Sequence, residues 1–258
     1  MLRAVVIVLT ALTPWMVQAT PSQEDLHQLR LKVTDAMTGF YMYQGLEADI
    51  KYAARTDAAL QDAHAALTRI TADSETNEEL NGAALLTEHW NNFTRLMTAN
   101  RTDIVERGYP DIRLVDEMGE ACLQLVTSAA EVSTALDAEQ GANSERSEQV
   151  AQLARSLAFQ MTDITAQYTG RGTSNLGQVF VGYHTVTPKE MARSFEKQLS
   201  ALEEAVANEQ MLEVTAIRNK WEFLHRSIAN YNENSVPFLV LNYNDSIVSA
   251  LHKLASQE

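Results

Sequence analysis

Apolar residues recur along this chain at alternating steps of three and four. Val214, Ile217, Trp221, Leu224, Ile228 and Tyr231 show the rhythm most cleanly. A period near 3.5 residues puts one apolar stripe down one face of a helix. The spacing returns in segment after segment, and no segment shows a comparable period of two. The pattern predicts an all-α fold, an antiparallel helical bundle of about eight helices.

The segments can be bounded from the same pattern. The first runs from about Gln23 to Tyr52, with Ser22 as its N-cap and Asp25 completing an approximate capping box. The second covers about Asp57 to Thr71. The third covers about Asn77 to Arg107 and is stopped by Gly108-Tyr109-Pro110. The fourth covers about Asp111 to Leu136, and Gly141-Ala142-Asn143-Ser144 makes a polar break at mid-chain. The fifth runs from about Glu145 to Tyr168, and an irregular stretch from Thr169 to Pro188 follows it, with a short β-prone run at Val179-Phe180-Val181. The sixth covers about Lys189 to Asn208, the opening stripe defines the seventh, and Pro237 begins the eighth.

The halves on either side of residue 141 share an outline. Trp90 and Trp221 hold equivalent places, Phe93 and Leu224 match in the stripe, and Ala99-Asn100 answers Ala229-Asn230. The expectation is two tandem four-helix bundles, residues 20–140 and 141–258, either as an internal duplication or as two bundles that merely look alike.

The first 19 residues change the picture of where the chain works. Arg3, the apolar run Ala4 to Leu12, Pro14 and the small-x-small triplet Val17-Gln18-Ala19 read as a cleaved export signal. The expected location is a bacterial periplasm, with secretion beyond it as the other outcome. Cys122 is the single cysteine. It excludes an intramolecular disulfide, a zinc–thiolate site and c-type haem attachment, and its place on an apolar stripe reads as a buried, inert thiol.

The formal net charge is −14, and cleavage of the signal would remove one arginine and no acid. That balance, without a basic cluster, excludes nucleic acid and anionic lipid surfaces as partners. No Gly-x-Ser-x-Gly, Walker-type loop or Ser/His/Asp arrangement is readable, so the chain is read as not an enzyme. The six histidines form neither His-x-x-x-His nor Glu-x-x-His, the spacings that put two ligands on one helix face. They are read as interface histidines. No cofactor and no metal is expected, although Met37 and His252 are conceivable axial ligands in a haem-binding bundle.

The second half carries Arg146-Ser147-Glu148-Gln149-Val150-Ala151-Gln152-Leu153-Ala154-Arg155 at its opening, Phe195-Glu196-Lys197-Gln198-Leu199 in its second helix, Lys220-Trp221-Glu222-Phe223-Leu224 in its third and Asn242 to Leu251 at its close. These segments resemble the periplasmic helical sensor domain of type IV pilus chemotaxis transducers, the PilJ-type N-terminal domain, and more distantly nitrate-sensor modules. The first half repeats the outline with His89-Trp90-Asn91-Asn92-Phe93. The resemblance implies a sensor-like module. With no signalling coiled coil readable after it, that module is expected to act through a partner.

Candidate ligand-binding residues follow from residue type and position. Arg146 and Arg155 form a pair that can hold a carboxylate or nitrate bidentately if turned inward, or are ordinary solvated arginines. Tyr41, Trp90 and Trp221, with Tyr43, either line an internal pocket or fill the core. Arg171, Tyr183 and His184, with Asn175, give the irregular stretch hydrogen-bonding and stacking groups, so it is a binding loop or a plain surface loop. The expected partners are a small anionic or amino-acid-like ligand, an inner-membrane or pilus-associated protein, or a second copy of the chain. A structural adaptor of a pilus or secretion assembly, and a helical metal- or haem-binding protein, are the competing functions.

Overall fold

The computed structural model describes residues 23–74, 81–140, 146–172, 186–229 and 236–256. The expected export signal, the Ser22 cap, Val179–Val181, Tyr183 and His184 lie outside the described residues. Within them the chain is helical throughout: α1 (Gln23–Gly45), α2 (Ile50–Ser74), α3 (Asn81–Arg107), α4 (Ile112–Gln140), α5 (Arg146–Gly172), α6 (Pro188–Ala205), α7 (Met211–Ala229) and α8 (Pro237–Ala255). No described helix is long and apolar enough to cross a membrane.

Two boundaries depart from the sequence pattern. The first long segment is broken at residues 46–49, so Ile50 to Tyr52 open α2 rather than close α1. Glu47 and Ala48 take left-handed backbone angles (φ 51° and 61°), which ends a right-handed helix without a glycine or proline at those positions. Asp49 then caps α2, its Oδ1 accepting from the Lys51 backbone N–H at 2.9 Å. The turn is also tight because Gly39 lets α1 approach α2. A β-carbon at Gly39 would stand 2.6 Å from Thr56 Oγ1 and 3.1 Å from the Thr56 backbone nitrogen.

The second departure is at Thr169 to Gly172, expected as loop and found as the last turn of α5. Gly170 is buried against Tyr41, where a β-carbon would meet the ring at 3.0 Å. The glycine is there for close approach of two helices, which sequence reading takes for a breaker.

The apolar stripes close into two cores. Leu86, Phe40, Phe93, Met118 and Leu125 belong to the core of α1–α4, and Leu157, Phe195, Leu199, Trp221 and Leu251 to that of α5–α8. Each large side chain withdrawn from water contributes roughly 1.5–3 kcal/mol before chain entropy is charged. The tryptophans anchor their bundles in the same way, from the third helix onto an aromatic ring of the second. Trp90 stacks on His64 at 5.8 Å, and Trp221 packs on Phe195 at 4.2 Å. Two residues cross the boundary: Leu31 of α1 packs in the second core and Leu241 of α8 in the first.

The bundles meet along α1 and α5. Glu24 faces Arg155, Arg30 lies on Phe159 and Tyr41 touches Gly170. Both numbers rise together, so these two helices run parallel, whereas neighbours within each bundle alternate. α4 flanks this seam on one side and α8 on the other. These are the relations of an approximate two-fold axis running between α1 and α5, which exchanges the two bundles and carries α4 onto α8.

Candidate functional site

Three helical stripes at the seam enclose a cleft of about 310 Å³. α1 contributes Arg30, Thr34, Met37 and Tyr41, and α4 contributes Gly119, Cys122, Leu123, Val126, Thr127 and Ala130. α5 contributes Phe159, Asp163, Ala166, Gln167, Gly170 and Arg171. Each set follows the three-and-four spacing, which is why one wall of the cleft comes from each helix. From Arg30 to Tyr41 the cleft spans about 16 Å at 1.5 Å per residue. Its volume lies at the small end of ligand pockets, and its place between helices of two bundles is where such pockets concentrate.

The chemistry divides by wall. α4 offers mostly apolar surface (Leu123, Val126 and Ala130), and Met37 adds to it from α1. α5 offers a polar ladder at every fourth residue: Asp163, Gln167, Arg171. Arg30 joins this ladder from α1, its guanidinium carbon 4.1 Å from the centre of the Phe159 ring. Burial lowers the Arg30 pKa from its ordinary value, and the Asp163 charge offsets part of that effect. Two buried polar atoms here have no hydrogen-bond partner, Arg30 Nε and Gln167 Oε1. Gln167 is 9% exposed, and its amide is held only by two 3.4 Å contacts from Nε2 to the Asp163 carboxylate. A buried donor or acceptor left unspent costs about 1–3 kcal/mol, so this pair is the sharpest polar signal in the cleft. The Cys122 thiol lines the same wall, and burial, then the Asp163 charge, push its pKa up. It is poorly suited to act as a nucleophile.

A second cavity of about 470 Å³ lies across the seam, lined by residues of α1, α2, α5 and α8. Its centre is occupied by ion pairs. Arg55 donates from Nε and Nη2 to Asp35 at 3.0 and 2.6 Å, and from Nη1 and Nη2 to Asp245 at 2.8 and 2.6 Å. Burial alone would lower the Arg55 pKa. The hydrogen bonds and charges of Asp245 and Asp35 outweigh it and hold the guanidinium above its ordinary value. Between the two cavities His27 meets His252 edge-on, ring centres 5.6 Å apart. Burial, then the charges of His252, Arg30 and Arg155, lower the His27 pKa from 6.5 to about 3.

The expected site residues disperse. Tyr41 and Arg171 are brought together at one end of the cleft, Arg171 from the last turn of α5 rather than from a loop. Trp90 and Trp221 share no pocket, because each is sealed in its own core. Trp221 also donates from Nε1 to Glu196 Oε2 at 2.5 Å, and Glu196 is braced by Arg218. Tyr43 is buried in the first core. Arg146 and Arg155 do not converge. Arg146 is exposed and donates from Nε to the Ala205 carbonyl at 2.8 Å, and Arg155 turns to Glu24 across the seam at 3.8 Å. Met37 and His252 line different cavities. Among the described residues no three His, Cys, Asp or Glu side chains are grouped to hold a metal ion.

Sequence reasoning passed over Arg30, Asp163 and Gln167. The signal was available in α1, which buries residues on every face from Leu26 to Tyr43. A helix buried all round is central, not peripheral, and polar residues on it face protein. Compared with known proteins, the chain matches no family model, no curated protein and no solved structure.

Proposed function

We propose that this chain is a non-enzymatic, exported helical binding module of the sensor-like kind, which takes a small ligand in the cleft between its two bundles and passes the bound state to a partner protein. The observation that carries the reading is the cleft itself, apolar on its α4 wall and polar on α5, with an unspent donor and an unspent acceptor in its lining. Export is supported by Arg3, the Ala4–Leu12 run and the Val17–Ala19 triplet. A ligand wedged between α1, α4 and α5 contacts both bundles at once, so its binding energy can favour one packing of the seam over another. That differential affinity is what a sensor needs and what a purely structural bundle does not.

The test is whether the cleft takes a small molecule at all. Anilinonaphthalene sulfonate fluorescence and thermal-shift measurements with small carboxylates and amino acids should both report binding. A ligand at 100 times its Kd adds about 2.7 kcal/mol. Thr127→Trp, at the exposed rim, should abolish both signals while leaving the far-ultraviolet circular dichroism unchanged. If Thr127→Trp leaves both intact, or the unmodified protein gives neither, the reading fails.

A further inference from the structure

The cleft's polar lining narrows the ligand class. Along the α5 side the groups alternate in character: the Arg30 guanidinium at one end, then the Asp163 carboxylate, the Gln167 amide and the Arg171 guanidinium. A simple anion would satisfy the arginines and be repelled by Asp163. A simple amine would meet the reverse. A molecule carrying both charges on adjacent atoms matches the sequence of groups, its carboxylate accepting from Arg30 and its ammonium donating to Asp163 and to the Gln167 oxygen. The two unspent atoms, a donor on Arg30 and an acceptor on Gln167, ask for one ligand that offers an acceptor and a donor together. Gln167 can turn toward such a ligand because its present amide contacts are long, 3.4 Å each.

The remaining walls fix the rest of the molecule. Met37, Leu123, Val126 and Ala130 present hydrocarbon to the middle of the cleft, and Phe159 backs the Arg30 end. A volume of about 310 Å³ corresponds to roughly ten waters at about 30 Å³ each. That accommodates a free amino acid with a large side chain and leaves no room for a folded peptide or a nucleotide. Resting on the cleft reading above, we infer that the ligand is a free α-amino acid with an apolar side chain, held by its charged end at Arg30, Asp163 and Gln167.

Three probes of one shape separate the possibilities by isothermal titration calorimetry on the purified chain: L-phenylalanine, 3-phenylpropanoate, which lacks the ammonium, and 2-phenylethylamine, which lacks the carboxylate. L-phenylalanine should bind at least about tenfold more tightly than either analogue, each losing one charge-assisted contact worth about 1.4 kcal/mol or more. Arg30→Gln should weaken L-phenylalanine and 3-phenylpropanoate alike by about tenfold. Gln167→Leu should weaken L-phenylalanine about fivefold and leave 3-phenylpropanoate within about twofold, which a merely structural role for Gln167 would not do. Equal affinity for the acid and the amino acid overturns the zwitterion and leaves the cleft reading standing. So does an absence of amino-acid binding while anilinonaphthalene sulfonate still binds and is lost in Thr127→Trp. Loss of every signal in the unmodified protein removes both.

Discussion

The two cavities beside the α1–α5 seam occupy equivalent places and have opposite contents. Their linings pair off along α4 and α8 in order, Gly119 with Ser249, Cys122 with His252, Leu123 with Lys253 and Val126 with Ser256, at one constant separation in sequence. On the α8 side the positions are polar and the space holds Arg55 locked between Asp35 and Asp245. On the α4 side they are mostly apolar, and Arg30 and Gln167 each keep an unspent atom. The α8 cavity is the larger, yet its central charges already satisfy one another. Ligand recognition is therefore better read from which polar groups lack partners than from volume. One cavity is spent on holding the bundles together, and the other is kept open at a cost in stability.

The largest effect that sharpens this contrast comes from removing each arginine. Arg55→Met leaves Asp35 and Asp245 facing one another and should lower stability by about 2–3 kcal/mol, below the range for a fully buried pair because Asp245 is half-exposed. Arg30→Met removes a desolvated cation with an unspent N–H and should change stability by no more than about 1 kcal/mol in either direction. Urea midpoints of the two variants decide it, and equal losses would erase the distinction between the cavities.

A smaller effect probes His27, which stands between them. Its folded pKa of about 3 lies below the ordinary 6.5. Between those values the unfolded chain takes up a proton that the folded chain refuses. The His27 contribution is therefore fully present above pH 6.5 and is lost as pH falls through that window, by up to about 1.4 kcal/mol per unit. The facing groups, His252, Arg30 and Arg155, all act in this direction. His27→Leu should flatten the fall in urea midpoint between pH 6.5 and 5, and an unchanged slope would place the sensitivity elsewhere. The smallest effect is the control: Arg113→Ala, breaking an exposed i,i+4 pair with Glu117, should move stability by less than about 0.5 kcal/mol.

Much of the architecture was legible because helices declare themselves locally. The stripe Val214, Ile217, Trp221, Leu224, Ile228 is buried as its spacing predicts, and the Pro188 and Pro237 starts hold. The errors fell where tertiary contact overrides local signal. Glu47 and Ala48 turn the chain with residues of no turn preference, and Gly170 continues a helix because Tyr41 needs the room. The site was less legible still. Tyr41 and Arg171 were found by residue type, but Arg30, Asp163 and Gln167 meet only because α1 and α5 run side by side, and that register is absent from any one helix's pattern. Trp90 and Trp221 misled for the complementary reason. Large aromatics fill cores as readily as they line pockets.

The approximate two-fold axis along α1 and α5 has a consequence for assembly. A contact of that symmetry pairs like patches and then closes, leaving no complementary half to recruit another molecule. In this chain it is satisfied internally, by one covalent strand folding onto itself. Any larger assembly must therefore be built from the outer flanks of the bundles, and each protein molecule carries a single open cleft.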